Sequence, residues 1–180
     1  MSRLLDDARR ILGSGLSAAS TEVLWNTCVP SGGPAGLFGE DGRDWLLRIS
    51  DIARSRLVER TGAEPGAPPD CRHDPLPVLV TSWIGEAAAG GGFVRPGVPP
   101  GAFLAAWNDI AGNVCPELAL RLAVRSLLGS DHPVPARVYE AMDRQGAVYG
   151  YGDFLVSAVE YLVGDRSAPT AGAYWGAVKR

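Results

Sequence analysis

The chain has 180 residues, enough for one domain that buries most of its unfolded surface without a metal or a disulfide staple. Hydrophobic residues make up 46% and charged residues 21%, values that exclude global disorder, and a formal net charge of −3 with acids set among the arginines excludes a broad basic field for nucleic acid. No apolar run reaches the ~18 residues of a membrane span, and the opening MSRLLDDARR carries acids that a secretory signal lacks, so no membrane partner is expected and the expected location is cytoplasmic.

Ser2 to Leu12 reads as a first helix, with Leu4, Leu5, Ala8, Ile11 and Leu12 on one face. Ser17 to Thr27 continues as a second, weakened by the β-branched Thr21, Val23 and Thr27. Pro30 to Gly42 is a loop whose Leu37 and Phe38 are expected to pin it to the body. Asp41 to Gly62 is strongly amphipathic, with Trp45, Leu46, Ile49, Ile52, Ala53 and Leu57 recurring every three or four residues. After a Pro-rich connector over 62–76, Leu76 to Ala89 begins like a strand at Val78 to Thr81 and ends like a helix at Glu86 to Ala89. Helix is the reading taken, since a lone strand would have no partner.

The glycine-rich stretch 90–101 is a third loop, and Ala102 to Ala111 a helix stopped at Gly112. Cys115 to Gly129 carries the clearest signals in the chain: Pro116 at a helix start, Glu117 near that end, Gly129 at the stop, and apolar side chains at Leu118, Leu120, Leu122, Val124, Leu127 and Leu128. It is expected to be a central helix, paired in an antiparallel hairpin with the one before it. Arg121 can pair with Glu117 one turn earlier, which would put Arg121 and Arg125 at a narrow exposed edge outside any ligand site. Pro135 opens a helix to Gln145, Asp153 another to Val163, and the tail 166–180 carries a last turn around Tyr174 and Trp175. The expectation is an all-α, single-domain (1–180), irregular helical bundle of about seven helices with Gly/Pro-rich connecting loops, its N-terminal helices lying within 1–29.

Motifs for chemistry are sparse. Cys28, Cys71 and Cys115 are odd in number and far apart, so reduced thiols are expected. With His73 and His132 they show one short spacing, where a structural zinc site uses two; no metal and no cofactor is assigned. A P-loop needs Gly-Lys-Ser/Thr, and the single lysine is Lys179. The five arginines from Arg43 to Arg60 share a helix with Asp44, Asp51 and Glu59, which offsets any nucleic-acid reading. That one lysine stands against sixteen arginines, and with the Ala, Gly and Pro richness this points to a GC-rich bacterial genome.

Two functional expectations follow, and no catalytic residue is named in the first. Tyr149-Gly150-Tyr151, two aromatics on a glycine hinge, together with Phe93 and Arg95 in the glycine-rich loop, suits contact with another protein. On this reading the chain is a non-catalytic protein-binding module, an accessory, adaptor or immunity-type protein of a bacterial multi-component system. The alternative is a small enzyme or small-molecule binder with an inter-helix pocket formed by Trp83, Glu86, Trp107, Asp109 and His132, in which buried carboxylates do the work.

Overall fold

Proline and glycine set several helix boundaries. Pro100 and Pro116 each open a helix at a position where a missing N–H forfeits no hydrogen bond. Gly62, at φ +70°, closes another by donating to the Val58 carbonyl at 2.8 Å, a left-handed turn that a side chain would strain. The computed structural model describes residues 2–28, 42–71, 75–92, 94, 97–130, 132–151 and 154–164. The element order is α1 (Ser2–Gly13), α2 (Ala18–Cys28), α3 (Gly42–Thr61), α4 (Val78–Ala89), α5 (Pro100–Asp109), a π turn (Ile110–Val114), α6 (Pro116–Leu127), β1 (Val134–Pro135), α7 (Ala136–Val148), α8 (Phe154–Ser157), a 3-10 turn (Glu160–Leu162) and β2 (Val163–Gly164). The loop body at 30–41 and the tail turn at Tyr174 and Trp175 lie outside the described residues.

The fold is all-α, as the apolar periodicity predicts. Among the described residues its strands amount to a two-residue parallel bridge, with Val134 opposite Val163 and Pro135 opposite Gly164. Helix α4 forms despite its β-branched start, because Val80, Ile84, Ala87 and Ala88 make one buried stripe and tertiary packing overrides local propensity.

Helix α6 sits in the main core, with Leu118, Ala119, Leu120, Ala123, Val124 and Leu127 all buried. It is packed by α2, α7 and α8. Phe103 and Trp107 of α5 are fully buried against the same core, and the Trp107 indole N–H donates to the Ala119 carbonyl at 3.0 Å, so the ring brings its one polar atom already satisfied. Helices α1 and α3 pair through a second, separate cluster of Leu5, Ala53 and Leu57.

Three expectations are corrected. Helix α5 does not stop at Gly112 and fold back as a hairpin. Ile110 and Val114 are both buried, and the chain between them widens into a π turn closed by Cys115 N–H to the Ile110 carbonyl at 2.8 Å. The chain then extends at Cys115 and starts α6, so α5 packs mainly on α2 and α4 and the two helices make a corner. The helix foreseen from Asp153 to Val163 is a single α turn followed by a 3-10 turn. Val156, Val159 and Leu162 are buried at spacings of three, which the i→i+3 bonds from Val159 to Val156 and from Leu162 to Val159, both 3.0 Å, satisfy better than an α period. Leu122 is only half-buried, on the flank of α6, and the fully buried leucines of that helix are Leu120 and Leu127.

This difference is measurable. Leu120→Ala should cost about 2–5 kcal/mol in urea unfolding, with Leu122→Ala well below it, because a site open to water leaves little cavity when truncated. Equal losses at the two positions would contradict this placement of the helix.

Candidate functional site

Burying most of α6 forces a solution for its charges. Arg121 is partly buried, and its guanidinium forks onto the Asp7 carboxylate of α1, with one bond to Oδ1 at 2.6 Å and the other to Oδ2. Asp7 is itself only 8% exposed and also accepts from Arg10 at 3.4 Å. Arg121 is therefore not the exposed partner of Glu117 that i,i+4 spacing suggested. A carboxylate from the first turns of the chain outcompetes the near one by offering a bidentate fit. Burial acts most strongly on Arg121 and works against its charge, but the hydrogen bond and the charge of Asp7 outweigh it, and the guanidinium is held charged more firmly than usual. Its Nε–H is buried without an acceptor among the described residues. Arg125, by contrast, is exposed as expected.

Glu117 is taken by a different donor. Gly150 turns left-handed at φ +70°, which brings Tyr151 back over α6, and the Tyr151 hydroxyl donates to Glu117 Oε1 at 2.5 Å. Arg3 stands over the Tyr151 ring with its Cζ 4.9 Å from the centroid, and Arg121 approaches the same ring at 5.8 Å. Tyr149 meets Tyr151 edge-on, with centroids 6.3 Å apart. Burial, then the hydrogen bond to Glu117, push the Tyr151 phenol well above the ordinary tyrosine value, so it stays a neutral donor. Each acid of this corner already has its donor, and the arrangement acts as a latch between α1, α6 and the tyrosine hinge.

The expected partner-binding residues thus divide. Tyr149 and Tyr151 come together, both half-buried, with Tyr151 bound into the latch; Phe93 and Arg95 lie outside the described residues. The expected pocket residues do not converge. Trp107 is a core residue, Glu86 is exposed, and Asp109 accepts from Asn113 Nδ2 at 2.6 Å on the π-turn side. Trp83 and His132 do meet, with ring centroids 6.0 Å apart, and Gly92 lies so close that a Cβ there would sit 2.5 Å from His132 Nδ1. Next to them is a cleft of about 390 Å³ whose described lining is glycine backbone, valine and proline, with Ser130 as its polar side chain.

The expectation of reduced thiols at Cys71 and Cys115 is corrected as well. Cys71 and Cys115 are joined by a disulfide, their Cα atoms 5.4 Å apart across a sequence separation of 44. Spacing along the chain could not indicate this, because it is the connector's path over α1 that brings Cys71 to the start of α6. Cys28 is buried beside Ser126, His132 is with Trp83, and His73 lies outside the described residues.

What the sequence reading missed is the role of Arg3, Asp7 and Arg10. Their spacing places an acid between two arginines on one stripe of α1, a signal that marks a charged face without naming the helix it meets. Comparison of the chain with protein-family models, with curated proteins and with solved structures finds no match in any of the three.

Tyr151 has a pH signature. The folded protein holds its phenolic proton more tightly than the unfolded chain, whose value is near 10.0, so the stability it contributes is complete below that pH and is lost as pH rises further. Tyr139 is also raised, by burial and then by Glu160 and Asp143, and adds to the slope. Tyr151→Phe should cost about 1–3 kcal/mol at pH 7 and flatten the alkaline fall in urea stability. A fall as steep as that of the unaltered protein would remove Tyr151 from the latch.

Proposed function

We propose that this protein is a non-catalytic protein-binding module, an accessory, adaptor or immunity-type component of a bacterial multi-component system, acting on another protein in the cytoplasm. The observation carrying this reading is apolar surface held out to solvent: Val78 at the start of α4 is 79% exposed, Val148 at the end of α7 63%, and Tyr161 55%. Tyrosine is among the residue types that anchor partner surfaces, and the exposed valines offer apolar area that a partner could cover. The tyrosine hinge follows directly after Val148, so a rigid aromatic corner borders that end of α7. Among the described residues no helix is long and apolar enough to cross a membrane.

The alternative, a pocket enzyme, draws on the Trp83–His132 contact. Its carboxylates weaken it, since Glu86 faces solvent and Asp109 is engaged by Asn113.

The test uses charge on the exposed positions. Val78→Asp is compatible with the fold because an acid at a helix start is favourable, and Val148→Lys because a cation at a helix end is favourable and the replaced side chain is open to water. Crosslinking in extract of the native host should yield one defined adduct with the unaltered protein and about tenfold less with the doubly charged variant. Monomer alone, or an adduct indifferent to both charges, would overturn the reading.

A further inference from the structure

The latch has a second closure. Arg9 donates to the carbonyls of Pro65 at 3.3 Å and Gly66 at 2.8 Å, and Arg10 donates to that of Pro69 at 2.8 Å, so the connector after α3 is laid along α1. It ends on the disulfide between Cys71 and Cys115. The two sulfurs are not equivalent. Cys115 is completely buried, at the extended residue that starts α6, whereas Cys71 is only half-buried and lines a cleft of about 260 Å³ with Arg10, Asp70 and Asn113. The charges lining this cleft are of both signs, Arg10, which also pairs with Asp7, and Asp70.

We propose that Cys71–Cys115 is a reversible thiol-exchange site, opened by a dithiol reductant that attacks Cys71. The reductant's thiolate forms a bond to Cys71 Sγ while the Cys71–Cys115 bond breaks. Cys115 leaves as a thiolate at the positive end of α6, where backbone N–H groups and the helix dipole favour the anion, and then takes up a proton. The reductant's second thiol, as thiolate, attacks its own sulfur in the mixed disulfide and releases Cys71, which is protonated in turn. The protein gains two electrons and two protons, and the reductant leaves as its disulfide. Opening frees the connector from α6 while α6 stays packed through its leucines, so the device controls the connector and not the core.

The site stands on burial and position and does not depend on the binding reading. It does reconcile a disulfide with the cytoplasmic location proposed above, where such bonds persist when they cycle.

The experiment takes the full chain, purified without reductant, and treats it with dithiothreitol under native conditions, followed by thiol alkylation and intact mass. Before reduction one thiol, the buried Cys28, should label, and only after denaturation; after native reduction Cys71 should label at least about tenfold faster than Cys115. Hydrogen exchange over residues 62–71 should rise on reduction while that of α6 is unchanged. Three free thiols before reduction, or reduction that waits on global unfolding, would overturn the proposal. So would equal labelling of the two cysteines, or a connector indifferent to reduction. As a check independent of the native bond, Cys115→Ser should form a mixed disulfide with oxidised glutathione at Cys71, and Cys71→Ser should form none at Cys115.

Discussion

An arginine on a helix that is buried on most sides must find a carboxylate before it leaves water, and Arg121 finds Asp7 from the opposite part of the chain. Much of the arrangement follows from that pair. It seats α1 on α6, although the apolar contacts of α1 run mainly to α3. With α1 in place, Arg9 and Arg10 have the connector carbonyls within reach, and the connector in turn carries Cys71 to Cys115. Ion pair and disulfide both end on α6, and the path between them runs through α1 and the connector.

The tyrosine hinge uses the acid that this choice leaves over. Because Arg121 turns to Asp7, Glu117 has a carboxylate oxygen for the Tyr151 hydroxyl, and the two cations Arg3 and Arg121 flank the ring. Sharing between α1, α6 and the hinge makes the corner cooperative: each acid lowers the cost of burying a donor, and each donor the cost of burying an acid. The buried Nε–H of Arg121 marks what the arrangement gives up for a bidentate fit.

The helices were legible in the sequence wherever apolar period and helix punctuation agreed. Pro116 and the leucines of α6, or Leu46, Ala53 and Leu57 of α3, report a buried stripe by themselves. The π turn was hidden because Gly112 is a valid stop signal, and only the burial of both Ile110 and Val114 overrules it. At the C-terminal end Val156, Val159 and Leu162 fit an α-helix or a 3-10 turn, and the bridge from Val163 to Val134, a long-range contact, decides. For the candidate site, the tyrosine pair and its glycine hinge could be picked out locally. Arg121 was misassigned because local spacing offers Glu117, while the choice of Asp7 depends on how α1 docks. The disulfide was illegible for the same reason, its partners meeting only through the connector's path.

Asp7 and Arg121 act as one unit holding α1 to the buried helix. A double-mutant cycle with Asp7→Asn, Arg121→Gln and the pair, read by urea unfolding, tests this most directly. Coupling of about 1–3 kcal/mol is predicted, with the double variant little worse than either single one. Losses that add to within about 0.5 kcal/mol would contradict the account.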